Sequence, residues 1–452
     1  MFRRRIIPCV LTLSLGVQSA FAGDDVGPMA VKTVRVNPQS LQTLLLAQNN
    51  NLLQELNNVY KAKVNVDLAR AQLLPSLNLG IGVSGGGFSL ASAVFLLPFL
   101  LPSNWINLRE SQHLLNAEVK SYYILQLNEY ASAYSLYMTI VGDFALRDVL
   151  YSQYKNLLDI QNNVDLAVKL GLRPTTDLYS AQAQTSMMKT QVGQFEELIA
   201  QERASIRQML GLDLSVDIRF DLLHPDRVDG YENADAESLL PTVLKKAPEM
   251  AQIDALILAA KADKWSKVFS FFNGATVSAQ SSGQGGGVSF GKVVGEGSFN
   301  FGFGYFPNIT LSNLNIQDMY LRRQAVVQEQ AQILESALAS VRSAKQQLVS
   351  ATDAENNFKR AYNAYLTQYT LGTTDLLHVL TAANSLAQAS VARLQAQIDL
   401  DSQRVTLNRS LILDKFADIR ACKVSQIGGG GVIRRIVHPN KLVPLMELCR
   451  AK

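Results

Sequence analysis

The chain has 452 residues, with 42 Lys+Arg against 38 Asp+Glu, and only 18% of its residues are charged, where soluble globular chains carry about 25%. A hydrophobic content of 48% excludes a disordered chain. No uninterrupted apolar run reaches the ~18 residues of a membrane-spanning helix, which argues against a helical membrane protein.

Residues 1–22 read as a secretory signal. Arg3, Arg4 and Arg5 precede the apolar stretch Ile6 to Val17, and Ala20-Phe21-Ala22 is a small-x-small cleavage site. Cys9 lies inside the apolar stretch, poorly placed for lipid attachment. The remaining two cysteines, Cys422 and Cys449, stand in the tail and form neither a disulfide framework nor a metal spacing. The tail from Arg420 to Lys452 is basic and contains Gly428 to Gly431, while residues 23–419 hold 32 basic against 37 acidic residues. The body is therefore mildly acidic, and nucleic acid is not indicated as a partner.

The chain then repeats itself at an offset of about two hundred residues. Asn51 to Leu79 lies over Pro248 to Thr276, each reading as a helix that runs into a strand, and Leu170-Gly171-Leu172 lies over Leu371-Gly372-Thr373. This predicts two units, residues 23–235 and 236–419, each of helix, strand pair and long helical hairpin, with an equatorial segment of unread purpose from Leu212 to Ala234.

Four strands are expected. Leu77, Leu79, Ile81 and Val83 alternate with small or polar residues, as do Phe299, Phe301, Phe303 and Tyr305. Poorer candidates run from Ala91 to Phe99 and from Ala275 to Ser282, with glycine-rich loops at Gly85 to Gly87 and Ser281 to Gly287. An aromatic face opposite a Gly/Asn face suits a membrane barrel wall, and equally a soluble sandwich.

Long helices follow each pair. Asn308 to Leu371 and Thr373 to Ile427 contain neither Gly nor Pro, and Trp105 to Leu170 contains only Gly142. Seven-residue apolar spacing marks coiled-coil seams: Leu150, Leu157 and Val164; Val327, Leu334, Val341 and Leu348; Val391, Ile398, Val405 and Ile412. Four strands cannot close a barrel and an open sheet edge cannot face lipid, so the strands require an oligomer, with three chains giving twelve strands. Strand counting alone also permits a dimer, and the helices alone permit a soluble coiled-coil rod or periplasmic adaptor without a pore.

The two turns carry the most specific residues: Leu170-Gly171-Leu172-Arg173-Pro174-Thr175-Thr176-Asp177-Leu178, and Tyr369-Thr370-Leu371-Gly372-Thr373-Thr374-Asp375. Gly171 and Gly372 suit left-handed helix ends, Pro174 a first-turn position and Asp375 an N-cap. With the order of parts over residues 40–419, these motifs resemble the TolC-like outer-membrane efflux proteins. The resemblance implies an α+β membrane protein: a trimeric twelve-stranded barrel in the outer membrane, joined to a periplasmic helical barrel. It also implies a homotrimer that exports drugs, small molecules or secreted proteins received from an inner-membrane pump through a periplasmic membrane fusion protein (the adaptor).

On that resemblance, Leu170, Gly171, Leu172, Leu371, Gly372 and Thr373 dock the adaptor, while Thr176, Asp177 and Tyr369 close the aperture. The family's basic partner falls at Thr374, so that ion pair is missing, and Arg173 is the candidate substitute. Its aspartate rings fall at His378 and Thr381; histidines would charge only near neutrality. His113, His224, His378 and His438 are scattered without ligand spacing and no phosphate loop is present. Neither an enzyme nor a cofactor is expected.

Overall fold

A computed structural model describes residues 33–84, 87–221, 229–281, 290–299 and 302–420. The expected signal segment, the tail cysteines and the loop Gly283 to Gly287 lie outside them.

The chain begins with a short strand, β1 (Thr33–Val36), and helices α1 (Pro38–Gln48) and α2 (Asn50–Ala71). Next come the strands β2 (Ser76–Ser84) and β3 (Gly87–Leu96) and the hairpin α3 (Pro102–Lys169) and α4 (Thr175–Met209). After strand β4 (Asp217–Phe220) and the short helices α5 (Asp229–Glu232) and α6 (Ala236–Lys246), the order recurs. Helix α7 (Pro248–Val268) leads into β5 (Phe272–Ser281) and β6 (Phe290–Phe299), then into α8 (Tyr305–Thr370) and α9 (Leu376–Leu411).

Strands β2, β3, β5 and β6 form one antiparallel sheet in that order, with Leu79 opposite Ala93, Val94 opposite Ser278 and Val277 opposite Gly295. The helices attached to them pack in the same lateral order: α2 on α3, α3 on α7, α7 on α8. Toward the hairpin ends, α4 packs on α3, α3 on α9 and α9 on α8. Each chain is thus a slab with α2, β2 and α4 along one margin and β6 and α8 along the other.

Heptad spacing explains the helical half. Leu150, Leu157 and Val164 of α3 are buried with Met188 and Val192 of α4 and Val379, Leu380 and Ala387 of α9. Leu334 and Val341 of α8 pack with Leu400, Leu407 and Leu411 of α9. At Gly142 of α3 an added Cβ would lie 2.2 Å from the Ile398 side chain of α9, so any larger residue there would have to displace that side chain.

A third core crosses the middle of the chain. Tyr130, Tyr134 and Tyr137 are buried on one stripe of α3 beneath α1 and the β1–β4 pair. Strand β1 runs parallel to β4, Val34 opposite Ile218, so the segment Leu212 to Ala234 supplies a strand that no local pattern in the sequence announces. Beyond it, α5 is strapped across α8 and α9. The buried Glu232 carboxylate accepts from Arg404 Nε at 2.9 Å and lies 3.6 Å from Lys345 Nζ, while Arg342 donates to the carbonyls of Glu232 and Ala234.

Four expectations need correction. Of the alternating run Phe299 to Tyr305, residues 300–301 lie outside the described residues; of the rest, only Phe299 is in a strand, at the end of β6, while the chain turns at Phe303-Gly304 and Tyr305 opens α8. The Tyr305 hydroxyl donates to the Val268 carbonyl and its ring meets Phe271, so aromatic contacts override a period-two pattern. The strand from Ala91 stops at Leu96, ahead of a 3₁₀ turn at Pro98–Leu100, and begins earlier, at Gly87. Pro174 is the N-cap residue of α4 rather than a first-turn residue.

The last helix ends at Leu411, not near Ile427. Ile412 and Asp414 adopt positive φ (52° and 53°) without any glycine. The following 3₁₀ turn (Asp414–Asp418) buries Phe416 with its ring 5.0 Å from that of Tyr130. Burying an aromatic ring offsets the local strain of roughly 1–2 kcal/mol per left-handed residue.

Candidate functional site at the helical tips

Helices α3 and α8 end in the same way. At the first tip Leu170 is the C-cap, Gly171 has φ +71°, its N–H bonds the Val168 carbonyl at 2.9 Å and the Leu172 N–H bonds the Ala167 carbonyl at 2.8 Å. At the second, Gly372 has φ +75°, its N–H bonds the Tyr369 carbonyl and the Thr373 N–H bonds the Gln368 carbonyl. Both are Schellman motifs, which satisfy carbonyls that a helix end leaves open. An added Cβ would meet nothing within 4 Å at either glycine, so the demand for glycine is conformational.

The return helices start differently. Helix α4 starts behind Pro174, with Asp177 in its first turn, where a carboxylate opposes the helix dipole. Helix α9 has Asp375 at the N-cap position as expected, yet its carboxylate makes no capping hydrogen bond. Around both turns Leu170, Leu172, Leu371 and Leu377 are largely exposed, giving each tip an apolar crown.

Behind the crowns the two hairpins meet. The Arg173 guanidinium lies 4.6 Å from the centroid of the Tyr369 ring, a cation–π distance. Burial pushes the Tyr369 phenol up, Arg173 pulls it back and Asp177 raises it. Three residues from both hairpins therefore share one electrostatic environment: Arg173 supplies a cation on the first tip where the family pattern has one at Thr374. Deeper in, Asn384 of α9 donates to Gln184 of α4 at 2.9 Å, a polar cross-link that the sequence did not mark.

The remaining candidates stay apart from this contact. His378 is exposed, stacks on Tyr365 at 5.8 Å and places Nδ1 3.9 Å from Asp375 Oδ2, an ion pair only when the imidazole is protonated. Thr176 is exposed, and its carbonyl accepts from Ser180. Thr381 is exposed and donates to the Leu377 carbonyl within α9; Thr374 is half-buried. Tyr365 was missed by sequence reasoning, although it stands four residues before Tyr369 on the same helical face. Among the described residues no three His, Cys, Asp or Glu side chains are grouped to hold a metal ion, and no helix is long and apolar enough to cross a membrane.

No family model and no curated protein sequence matches the chain. Solved structures do. The outer-membrane channel OprN superposes with a TM-score of 0.70 at 18% identity, over 83% of this chain and 89% of that one. The CmeC outer membrane channel of Campylobacter jejuni gives 0.71 at 16% identity, over 83% and 85%. The outer membrane protein VceC of Vibrio cholerae gives 0.70 at 15%, over 83% and 95%. From the strand pairs to the two Schellman tips, the chain has the fold of the TolC-like outer-membrane channels.

Proposed function

We propose that this chain is one stave of a homotrimeric exit duct in the outer membrane. The observation that carries the reading is the shared lateral order, β2-β3-β5-β6 above and α2-α3-α7-α8 below, with an open strand at each margin. Open edges in lipid leave peptide groups without partners, at several kcal/mol each. Three copies edge to edge make a twelve-stranded wall continuous with a periplasmic helical cylinder, and the recurring order of parts makes each chain two copies of one unit.

Cargo enters from an inner-membrane pump through a periplasmic adaptor seated on the crowns formed by Leu170, Gly171 and Leu172 and by Leu371, Gly372 and Thr373. The protein is not an enzyme. It binds no cofactor and draws no energy of its own. Drugs, other small molecules and secreted proteins are the cargo classes, chosen by the pump. The Arg173–Tyr369 contact, with Asp177 beside it, holds the two hairpins of a chain together at rest.

Planar-bilayer recording of the purified protein tests the duct. Discrete channels are expected, with a heat-sensitive oligomer on gels. A protein that leaves membranes in a carbonate wash and forms no such oligomer would instead be a periplasmic rod. Arg173→Ala should raise basal conductance several-fold and Tyr369→Phe should not, because a phenyl ring keeps the cation–π contact. Equal conductance in wild type and Arg173→Ala removes the contact from the gate.

A further inference from the structure

Beside the β1–β4 pair lies a cleft of about 440 Å³ that has no part in the duct. Phe144 of α3, Arg203 of α4 and Asp217, Ile218, Arg219 and Phe220 of β4 line it. Its volume falls in the ~300–1,000 Å³ range of small-molecule sites. The Phe144 and Phe220 rings stand 6.2 Å apart, and the Arg147 guanidinium lies over Phe144 at 5.1 Å. Arg203 donates to the Asp217 carboxylate at 2.5 Å and to the Ile218 carbonyl at 3.1 Å. Its Nε is buried and, among the described residues, has no hydrogen-bond partner. Arg219 comes no closer than 3.8 Å to the other Asp217 oxygen, and its side chain is 69% exposed.

We propose that this cleft binds a small aromatic monocarboxylate. The ring packs against Phe144 and Phe220, and the carboxylate accepts from the guanidiniums of Arg203 and Arg219. Two arginines against one carboxylate in the lining leave a single surplus positive charge. Arg147 adds none, because it is paired with Asp148 at 2.6 Å. One surplus charge suits a monoanion better than a phosphate dianion. The planar fork of a guanidinium matches a carboxylate, and a buried donor without a partner gains most when a ligand supplies the acceptor. Two phenyl rings favour a flat aromatic body over an aliphatic acid.

A peptide added as a strand is the poorer occupant. Arg207 and Arg203 already take the Val216 and Ile218 carbonyls, so this edge of β4 is blocked to a pairing chain. Binding in the cleft needs neither a pore nor a trimer. Loss of the duct reading therefore does not carry the cleft with it, nor the reverse.

Calorimetric titration of the full-length protein in dodecyl maltoside with 2-naphthoate tests the site. Saturable binding in the submillimolar range is expected, ordinary for a ligand of this size in an open cleft. The neutral analogue 2-naphthalenemethanol, which keeps the ring and enters micelles as readily, should bind at least about tenfold more weakly. Arg219→Gln, at an exposed position, should weaken naphthoate about tenfold. Phe144→Leu should weaken it about threefold by removing the ring contact. An absence of saturable heat would overturn the proposal. So would equal affinity for the alcohol, or unchanged naphthoate affinity in Arg219→Gln.

Discussion

Helices α3 and α8 are of nearly equal length, 68 and 66 residues, yet they have opposite fates. Helix α3 lies between α2, α4, α7 and α9 and buries apolar residues along its length, from Ala117 through Tyr130, Tyr134 and Tyr137 to Val164. Helix α8 leaves Leu314, Leu321, Val349 and Phe358 exposed. Position in the slab contributes to this: α3 has these four helices packed on it, whereas α8 lies at a margin. On the trimer proposed above, a second copy would cover this apolar ridge, the helical counterpart of the open strand edge.

A matched pair of truncations puts this contrast most directly at risk. Leu146→Ala, at a fully buried position of α3, should cost about 2–5 kcal/mol in urea unfolding. Leu321→Ala on α8 should cost the isolated chain under about 0.5 kcal/mol while lowering the melting temperature of the oligomer. Equal losses in both assays would show that the margin is not an interface. Gly142→Val, driven against Ile398, should cost about 1–3 kcal/mol by overpacking, and Ile398→Ala in the same chain should recover part of it.

Smaller changes probe the likeness of the two halves. Gly171→Ala and Gly372→Ala should each cost about 1 kcal/mol in urea unfolding, since both force a Cβ into the left-handed region without steric contact. A difference between them would show that one tip bears a load that the other does not.

A slope with pH is also expected. Burial, and then the Asp143 charge beside it, push the Glu202 carboxyl up to about 8, while burial also raises that of Asp143 on α3. The native chain therefore keeps a proton that the unfolded chain gives up above its ordinary value of 4.5. Stability should fall as pH rises from that value toward about 8 and level off beyond it. Glu202→Gln should flatten that fall, measured as melting temperature against pH.

The periodic parts of the molecule were legible in sequence because repeated physical causes write repeated residues. Heptads located the seams at Leu150, Leu157 and Val164, and the two Leu-Gly motifs located the tips. Elements set by long-range contact were not legible. Strand β4 forms because β1, some 180 residues earlier, lies alongside it, and α9 stops because Phe416 has a pocket against Tyr130. At the tips, glycine positions followed from backbone geometry alone. The Arg173–Tyr369 contact needed the fold, since no local pattern pairs residues on separate hairpins.

The strap at Glu232 has a mechanical consequence. Bound by Arg342, Lys345 and Arg404, it ties α8 to α9 at one level, while nearer the tips the same two helices are held by a separate core with α3 and α4. From Arg342 to the tip is about 42 Å of helix at 1.5 Å per residue. A tilt of about 5° at the strap therefore swings the tip sideways by about 4 Å over that helical length. On the duct reading proposed above, a torque at the crown would be shared between the packing behind the tips and a buried ion pair far from it.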